Sequence, residues 1–348
     1  MVFSSFFLNF APMTNDEFYM QRCIQLAANG IQGARPNPMV GAVITVCQQQ
    51  FATPHSALQR TANSQKPRII GEGYHVRCGE AHAEVNAFAS VKPEDEPLLK
   101  DATIYVSLEP CSHYGKTPPC ADLIIKKGVR RVVVGTIDPF AEVQGRGIRK
   151  LQEAGIDVTV GVLEKECQWL NRRFFTYHRE HRPYIILKWA QTANGFIDDH
   201  GKALQISNEQ TQMLSHQLRA EEDAILVGHT TDAREHPQLT VRHWHGPNPK
   251  RIVLTHDRPL PQLMDDLYQH VIQSLIVEGG RQTLQSFIAA GLWDEIRVET
   301  GAMTVTDGTE APQLPSDAEV VAQHDYDENV ITSFRNPQGL RPISTFPT

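Results

Sequence analysis

A histidine and two cysteines, far apart in the sequence, most constrain the fold of this chain. His82, Cys111 and Cys120 are of types that bind zinc well, and three protein ligands leave the fourth tetrahedral position open to water. Glu84 follows His82 by two residues and is not needed as a ligand, so its carboxylate can move protons to and from that water. We therefore expect a fold that brings these four side chains together in a hydrolytic site with a zinc ion.

The order of these residues is typical of zinc-dependent nucleobase deaminases, which carry H-x-E followed by P-C-x-x-C. Here eight residues, not two, lie between Cys111 and Cys120. Three other interpretations stay open: a chance set of core residues, a closed structural zinc site with Cys78 or His113 as fourth ligand, and a zinc-stabilised binding module. A nucleic-acid deaminase is a fourth, against which the longer spacing and the low basic content argue.

Charge and cysteine content limit the partners and the compartment. The net charge of −7 argues against nucleic acid or an anionic membrane as the main partner. The six cysteines do not form the dense framework of a secreted disulfide-bonded domain, so we expect thiols in a reducing cytoplasm. Residues 1–13 are apolar but lack lysine and arginine, so we interpret them as an extension and not as a signal peptide. No later run approaches the ~18 apolar residues of a membrane span.

The order of strand and helix patterns predicts two α/β domains, in keeping with a length of 348 residues. The alternation is typical of layered domains with a largely parallel sheet. In the first domain we predict strands at 40–46, 68–74, 103–108, 131–136 and 156–160, and helices at 16–29, 82–91, 119–127 and 147–154. In the second we predict strands at 184–189, 224–227, 251–255, 274–278, 295–299 and 330–334, and helices at 209–220 and 282–290. The segment 48–67 is interpreted as a surface insertion.

Four strings in the first half resemble the bifunctional deaminase/reductase family of riboflavin biosynthesis. They are PNPMVG at 36–41, GEGYH at 71–75, HAEVNA at 82–87 and EPCSHYGKTPPC at 109–120. The long loop between the cysteines separates this family from ordinary cytidine deaminases. The resemblance implies an α/β fold with a cytidine-deaminase-like three-layer α/β/α domain at 14–165 and a dihydrofolate-reductase-like α/β domain at 182–348.

The resemblance also implies a first reaction, the hydrolytic deamination of 2,5-diamino-6-ribosylamino-4(3H)-pyrimidinone 5′-phosphate. One zinc ion per chain would have three ligands, His82, Cys111 and Cys120. Glu84 would be the catalytic proton carrier. The implied substrate contacts are Asn37, His75 and Lys116. By themselves, Asn37 could be a turn residue between two prolines, and Lys116 a solvated loop lysine.

The second half resembles the reductase half of the same family through KWAQTANG at 188–195, LRA at 218–220, PQLTVR at 237–242 and VEGGRQTL at 277–284. This resemblance implies NADPH-dependent reduction of the ribosyl group to a ribityl chain, and a homo-oligomer. The implied substrate contacts are Arg219, Leu239, Arg242 and Glu278. The implied NADPH contacts are Thr231, Glu235, Gly279, Gly280, Arg281, Gln282 and Thr283.

The second half also departs from the family pattern. Asn194-Gly195 stands where the family usually has Asp-Gly, and Glu235-His236 stands where it usually has two acidic residues. The segment 255–274 is shorter than usual. A monofunctional deaminase with a catalytically impaired reductase domain is therefore the alternative function.

Overall fold

The computed structural model describes residues 13–47, 67–114, 118–140 and 144–339. These residues form two compact units, and the chain passes from one to the other after residue 175. The predicted extension at 1–13 and insertion at 48–67 fall outside the described residues, apart from Met13 and Pro67, and so does Lys116. No helix in the described part of the chain is long and apolar enough to cross a membrane.

A five-stranded mixed sheet forms the centre of the first unit. Its strands, β1 to β5 in chain order, are Gly41–Val46, Arg68–Tyr74, Thr103–Leu108, Arg131–Thr136 and Asp157–Val160. They lie in the order β2-β1-β3-β4-β5, with β1 antiparallel to β2 and β3, and with β3, β4 and β5 parallel. The expectation of a largely parallel sheet is thus wrong for half of these pairings, because β1 runs opposite to both of its neighbours.

Helices cover both faces of this sheet, which gives the expected three layers. They are α1 (Asn15–Ala28), α2 (Ala83–Ala89), α3 (Cys120–Lys127), α4 (Arg146–Glu153), α5 (Glu164–Leu170) and the start of α6 (Arg172–Glu180). A 3-10 helix, Glu96–Asp101, precedes β3. Apolar residues of α1 and α5 pack on Val43 and Tyr105, whereas those of α2, α3 and α4 pack on Ile44 and Ile104. Successive strand residues therefore face different cores, which explains the continuous apolar runs in the sequence.

A seven-stranded sheet forms the centre of the second unit, in the order β10-β9-β11-β6-β12-β14-β13. Its strands are β6 (Tyr184–Gln191), β9 (Ala224–Gly228), β10 (Lys250–Leu254), β11 (Ser274–Val277), β12 (Glu295–Thr300), β13 (Glu319–Tyr326) and β14 (Asn329–Arg335). The strands from β10 to β12 are parallel, and β14 and β13 add antiparallel pairs. A separate small hairpin consists of β7 (Asp198–Asp199) and β8 (Lys202–Ala203).

The helices of the second unit connect its parallel strands. They are α7 (Glu209–Glu221), α8 (His229–Glu235), α9 (Leu260–Gln269) and α10 (Arg281–Ala289). The segment 255–274, short as it is, still carries α9. Because β9 and β11 are parallel neighbours, α8 and α10 begin at the same edge of the sheet, where open α/β sheets bind their ligands.

Candidate active sites

Three elements bring the candidate zinc ligands together in the first unit. His82 immediately precedes α2, Cys111 follows β3, and Cys120 is the first residue of α3. The Nδ1 atom of His82 lies 3.6 Å from Cys111 Sγ and 3.4 Å from Cys120 Sγ. All three donor atoms lie within 4.8 Å of one another.

These separations fit a tetrahedral zinc ion. Typical Zn–N and Zn–S bonds at a tetrahedral angle place the nitrogen and sulfur atoms about 3.6 Å apart. The two observed N–S distances, 3.4 Å and 3.6 Å, agree with that value. Within the described ranges, neither Cys78 nor His113 joins this group. The geometry therefore favours a three-ligand site over the closed four-ligand site.

The two cysteines differ in their protonation. Hydrogen bonds from the Cys120 side chain, from His82 and from the Cys120 backbone N–H stabilise the Cys111 thiolate and lower its pKa. The pKa of Cys120 is raised, chiefly because its thiol donates to Cys111. These surroundings favour Cys111 as the sulfur that loses its proton first.

Glu84 lies in the first turn of α2, and its side chain is buried. Burial is the main reason that the pKa of Glu84 rises to about 7, and the nearby Cys111 raises it further. A carboxyl group with a pKa near neutral can both accept and release a proton. The candidate proton carrier and a candidate metal ligand therefore stand at the start of one helix.

Asn37 and His75 are hydrogen bonded to each other, with 3.2 Å between Asn37 Nδ2 and His75 Nε2. The other ring nitrogen of His75, Nδ1, lies 3.1 Å from the carbonyl oxygen of Ala81. Nδ1 must therefore carry the ring proton, and Nε2 accepts from the Asn37 amide. This arrangement directs the Asn37 carbonyl oxygen away from His75, and it leaves both ring nitrogens of buried His75 with partners.

Glu109 is a residue that the sequence did not single out. Its buried carboxylate accepts backbone N–H groups from Gly145 (2.9 Å) and Gly147 (2.9 Å), and more weakly from Asp138 (3.3 Å) and Ile148 (3.5 Å). It thereby fixes the entry to α4 beside the Cys111 loop. Its position directly before Pro110-Cys111 was the only available signal, because burial of a glutamate cannot be read from one sequence.

In the second unit, the Gly-Gly turn lies against the start of α10. A Cβ atom on Gly279 would come within 2.9 Å of Thr283 Cβ, and one on Gly228 would come within 2.3 Å of Thr283 Oγ1. The N-cap residue of α10 is Gly280, and no side chain in the described part of the chain caps this end. Thr231 Oγ1 is the nearest atom to a Cβ built on Gly280, at 3.2 Å. Close backbone approach and N–H groups at a helix start are features that suit a phosphate group.

Two of the predicted substrate residues, Arg219 and Glu278, form an ion pair. The Nη2 of Arg219 donates to Oε2 of Glu278 at 2.7 Å, and Nε donates to Oε1 at 3.3 Å. The Nη1 of Arg219 also donates to the carbonyl oxygen of Thr240 at 3.4 Å. The pKa of Glu278 is lowered, because Lys188 and Arg219 outweigh the effect of its burial.

The other predicted residues of the second unit are more dispersed. Leu239 is buried in an apolar cluster, with a left-handed backbone at φ +52°. Arg242 is exposed, and its Nη1 donates to Gln238 at 3.3 Å. Glu235 and Gln282 are exposed as well. The side chain of Leu239 therefore belongs to the core, and that of Arg242 is accessible to a ligand.

Sequence analysis also did not predict a role for His216, a buried residue of α7. Its Nδ1 accepts the backbone N–H of Arg242 at 3.1 Å. A single histidine in an amphipathic helix gives no signal by itself, since the partner lies in a loop more than twenty residues away.

Each of the two units matches a known protein family. Residues 13–136 match the family described as the cytidine and deoxycytidylate deaminase zinc-binding region. Residues 183–265 and 259–325 match the RibD C-terminal domain in two overlapping pieces. The two pieces meet in α9, within the segment 255–274 whose shortness the sequence had indicated.

Individual relatives cover most of the chain. The riboflavin biosynthesis protein RibD of Aquifex aeolicus is 36% identical over 328 residues, which cover 81% of this chain and 86% of that protein. The RibD protein of Bacillus amyloliquefaciens is 33% identical and covers 86% and 88%. A crystal structure of a diaminohydroxyphosphoribosylaminopyrimidine deaminase/5-amino-6-(5-phosphoribosylamino)uracil reductase from Thermotoga maritima superposes with a TM-score of 0.79, at 32% identity, over 92% of this chain and 98% of that one.

Proposed function

Because the chain belongs to the RibD family, and is thus a bifunctional deaminase and reductase of riboflavin biosynthesis, we propose how its own residues divide the two reactions. The first domain, residues 14–165, removes ammonia from 2,5-diamino-6-ribosylamino-4(3H)-pyrimidinone 5′-phosphate. The second, residues 182–348, uses NADPH to reduce the ribosyl group of the deaminated product to a ribityl chain. The observation that carries the first assignment is the convergence of His82, Cys111 and Cys120 beside buried Glu84.

The residues of the deaminase site have two different roles, metal binding and proton transfer. His82, Cys111 and Cys120 would hold one zinc ion, which when bound makes a water molecule acidic enough to ionise near pH 7. Glu84 takes one proton from the attacking water and passes it to the ring nitrogen, then takes the second from the hydroxyl group formed on the ring carbon and passes it to the departing amine. Its pKa of about 7 suits both directions of transfer.

Asn37, His75 and Lys116 are proposed as the pyrimidine and phosphate contacts on the strength of the resemblance. The hydrogen bond from Asn37 to His75 fixes the amide so that its oxygen can accept from a donor on the pyrimidine edge. A lysine is a suitable phosphate partner in a chain whose net charge is −7.

The reductase site is assigned to the sheet edge where α8 and α10 begin. Gly279, Gly280, Arg281, Gln282 and Thr283, with Thr231 and Glu235 from α8, would bind NADPH, which when bound supplies the hydride. Arg219, Arg242 and Glu278 would bind the substrate with their side chains, and Leu239, whose side chain lies in the core, would contact it through its backbone. The exposed guanidinium of Arg242 suits a phosphate, whereas the paired Arg219 and Glu278 suit the polar sugar.

A coupled assay tests whether the chain carries out both reactions in this order. The full chain, loaded with zinc, receives the pyrimidine phosphate with and without NADPH, while ammonia and nicotinamide absorbance are followed. We expect ammonia in both cases, and NADPH oxidation only after deamination. Absence of ammonia release would overturn the deaminase assignment. Ammonia release without NADPH oxidation would instead support the monofunctional alternative, which the family membership does not favour.

Two further assignments rest on the same family and composition. We propose a cytoplasmic enzyme that acts as a homo-oligomer on a small molecule, without nucleic acid or a membrane as partner. Cell fractionation and light scattering of the purified chain test these assignments, and a monomer at working concentration would contradict the second.

A further inference from the structure

His216 holds the backbone of the segment that carries Arg242. The histidine lies in α7, one turn before Arg219, with 3% of its surface exposed. Its Nδ1 accepts the backbone N–H of Arg242 at 3.1 Å. One buried side chain is therefore hydrogen bonded to the backbone of a segment that lies outside the helices and strands.

The tautomer of His216 follows from this partner. Because Nδ1 accepts a hydrogen bond it carries no proton, so the proton of the neutral ring lies on Nε2. Burial, followed by the charges of Arg219 and Arg242, lowers the pKa of His216 to about 4, which favours this neutral ring.

The same segment is anchored at two neighbouring points. Leu239 is buried in the core with its backbone in the left-handed region at φ +52°, a conformation that a branched side chain adopts only when its surroundings impose it. Asn248 accepts the backbone N–H of Val241 at 2.7 Å. The backbone of residues 239–242 is therefore fixed from both sides, while the Arg242 guanidinium stays exposed.

We propose that His216 is a positioning residue of the reductase, which fixes the Arg242 backbone so that its guanidinium meets the phosphate of the substrate. This inference rests on the proposed reductase function. His216 itself is buried and its Nδ1 is bonded to the Arg242 backbone, so it is assigned no contact with substrate or cofactor.

Two variants of His216 separate positioning from packing. In His216→Gln, the amide oxygen can accept from the Arg242 N–H, so the hydrogen bond is retained. In His216→Leu, a side chain of similar bulk retains the packing but not the hydrogen bond. Because the Arg242 N–H then has no side-chain acceptor, we expect the Leu variant to raise the KM for the deaminated pyrimidine phosphate about tenfold. The Gln variant should stay within about threefold of the unsubstituted enzyme.

The readouts are KM for the pyrimidine, KM for NADPH, kcat, and ammonia release by the deaminase unit. If His216 positions Arg242, the Leu variant has a raised KM for the pyrimidine, whereas its KM for NADPH and its ammonia release are unchanged. Equal impairment of the Leu and Gln variants, or an unchanged pyrimidine KM in the Leu variant, would overturn the inference. If the Leu variant does not fold, His216→Met supplies a more flexible apolar side chain for the same comparison.

The failure of the inference can be told from the failure of the proposed function. Arg242→Ala should raise the pyrimidine KM at least as much as His216→Leu. An unchanged KM in Arg242→Ala would overturn the inference while the reductase function stands. No NADPH oxidation by the unsubstituted enzyme would overturn the reductase function and this inference with it.

Discussion

Arg219 and Glu278 form an ion pair with 2.7 Å between Nη2 and Oε2, and only 11% and 12% of their side chains are exposed. Each residue was expected from the sequence to bind the substrate, yet in the structure each already has the other as partner. A substrate hydroxyl group would meet a charged pair whose orientation is fixed before binding. That preorganisation reduces the entropy lost when the substrate is ordered.

Removing one member of this pair should cost stability as well as activity. Glu278→Ala leaves the Arg219 guanidinium nearly buried and unpaired, for which we expect a loss of about 3 kcal/mol in the free energy of unfolding. The double variant Arg219→Met/Glu278→Leu should regain most of that stability but no NADPH oxidation. Urea unfolding and the reductase assay measure the two effects. A stable, active Glu278→Ala variant would show that the pair has neither role.

Glu84→Gln should abolish ammonia release without loss of the metal. The amide has nearly the shape of the carboxyl group but cannot carry a proton, so we expect a decrease of about 10²–10⁴-fold in deaminase kcat. Zinc content, measured by atomic emission, should stay at the level of the unsubstituted enzyme because Glu84 is not among the three grouped donors. Glu80→Gln is the matched control, since Glu80 lies at the surface, with its side chain 54% exposed in an ion pair with Arg77.

Metal removal should separate the two activities of the chain. A chelator, or the substitution Cys111→Ser, should eliminate ammonia release, while NADPH oxidation with chemically deaminated substrate continues. The reason is that the three grouped donors all belong to the first unit. Cys78→Ser provides the control, because this exposed cysteine lies outside the group. Equal loss of zinc from both cysteine variants would contradict the ligand assignment.

Strands with a run of apolar or β-branched residues could be predicted from the sequence, including the partly exposed β2, and β13 could not. β3 and β4 have the predicted bounds because their β-branched runs are continuous. The edge strand β13 was missed, since its exposed and half-buried residues give no such run. The direction of β1 relative to β2 depends on how the chain returns between them, which residue types do not encode.

Some residues of the candidate sites could likewise be predicted from the sequence, and others could not. His82, Cys111 and Cys120 could be predicted because metal ligands have few alternatives in residue type. Leu239 was expected at the substrate, and its burial in the core could not be foreseen. His216 acts on the backbone of another segment, so only the fold shows its partner.

Acidification should destabilise the second unit through His216. Its pKa falls from the usual 6.5 to about 4 in the folded protein, because burial and the nearby cations disfavour the charged ring. The groups that face it are Arg219 on its own helix, Arg242 and His243 on the segment packed against it, and Glu278 after β11. Between pH 6.5 and 4 the unfolded chain therefore binds a proton that the folded chain does not, so the free energy of unfolding decreases as the pH falls through this window.

The substitution His216→Gln removes this titration while it retains an acceptor for the Arg242 N–H. We expect the free energy of unfolding of the Gln variant to fall less steeply than that of the unsubstituted enzyme from pH 6.5 to 4, and the two slopes to agree above pH 7. Urea unfolding of the full chain at a series of pH values measures both slopes. Parallel slopes throughout would mean that His216 is protonated equally in the folded and unfolded chains. In that case the folded chain would not favour the neutral ring over the charged one, and the lowered pKa from which this prediction follows would be absent.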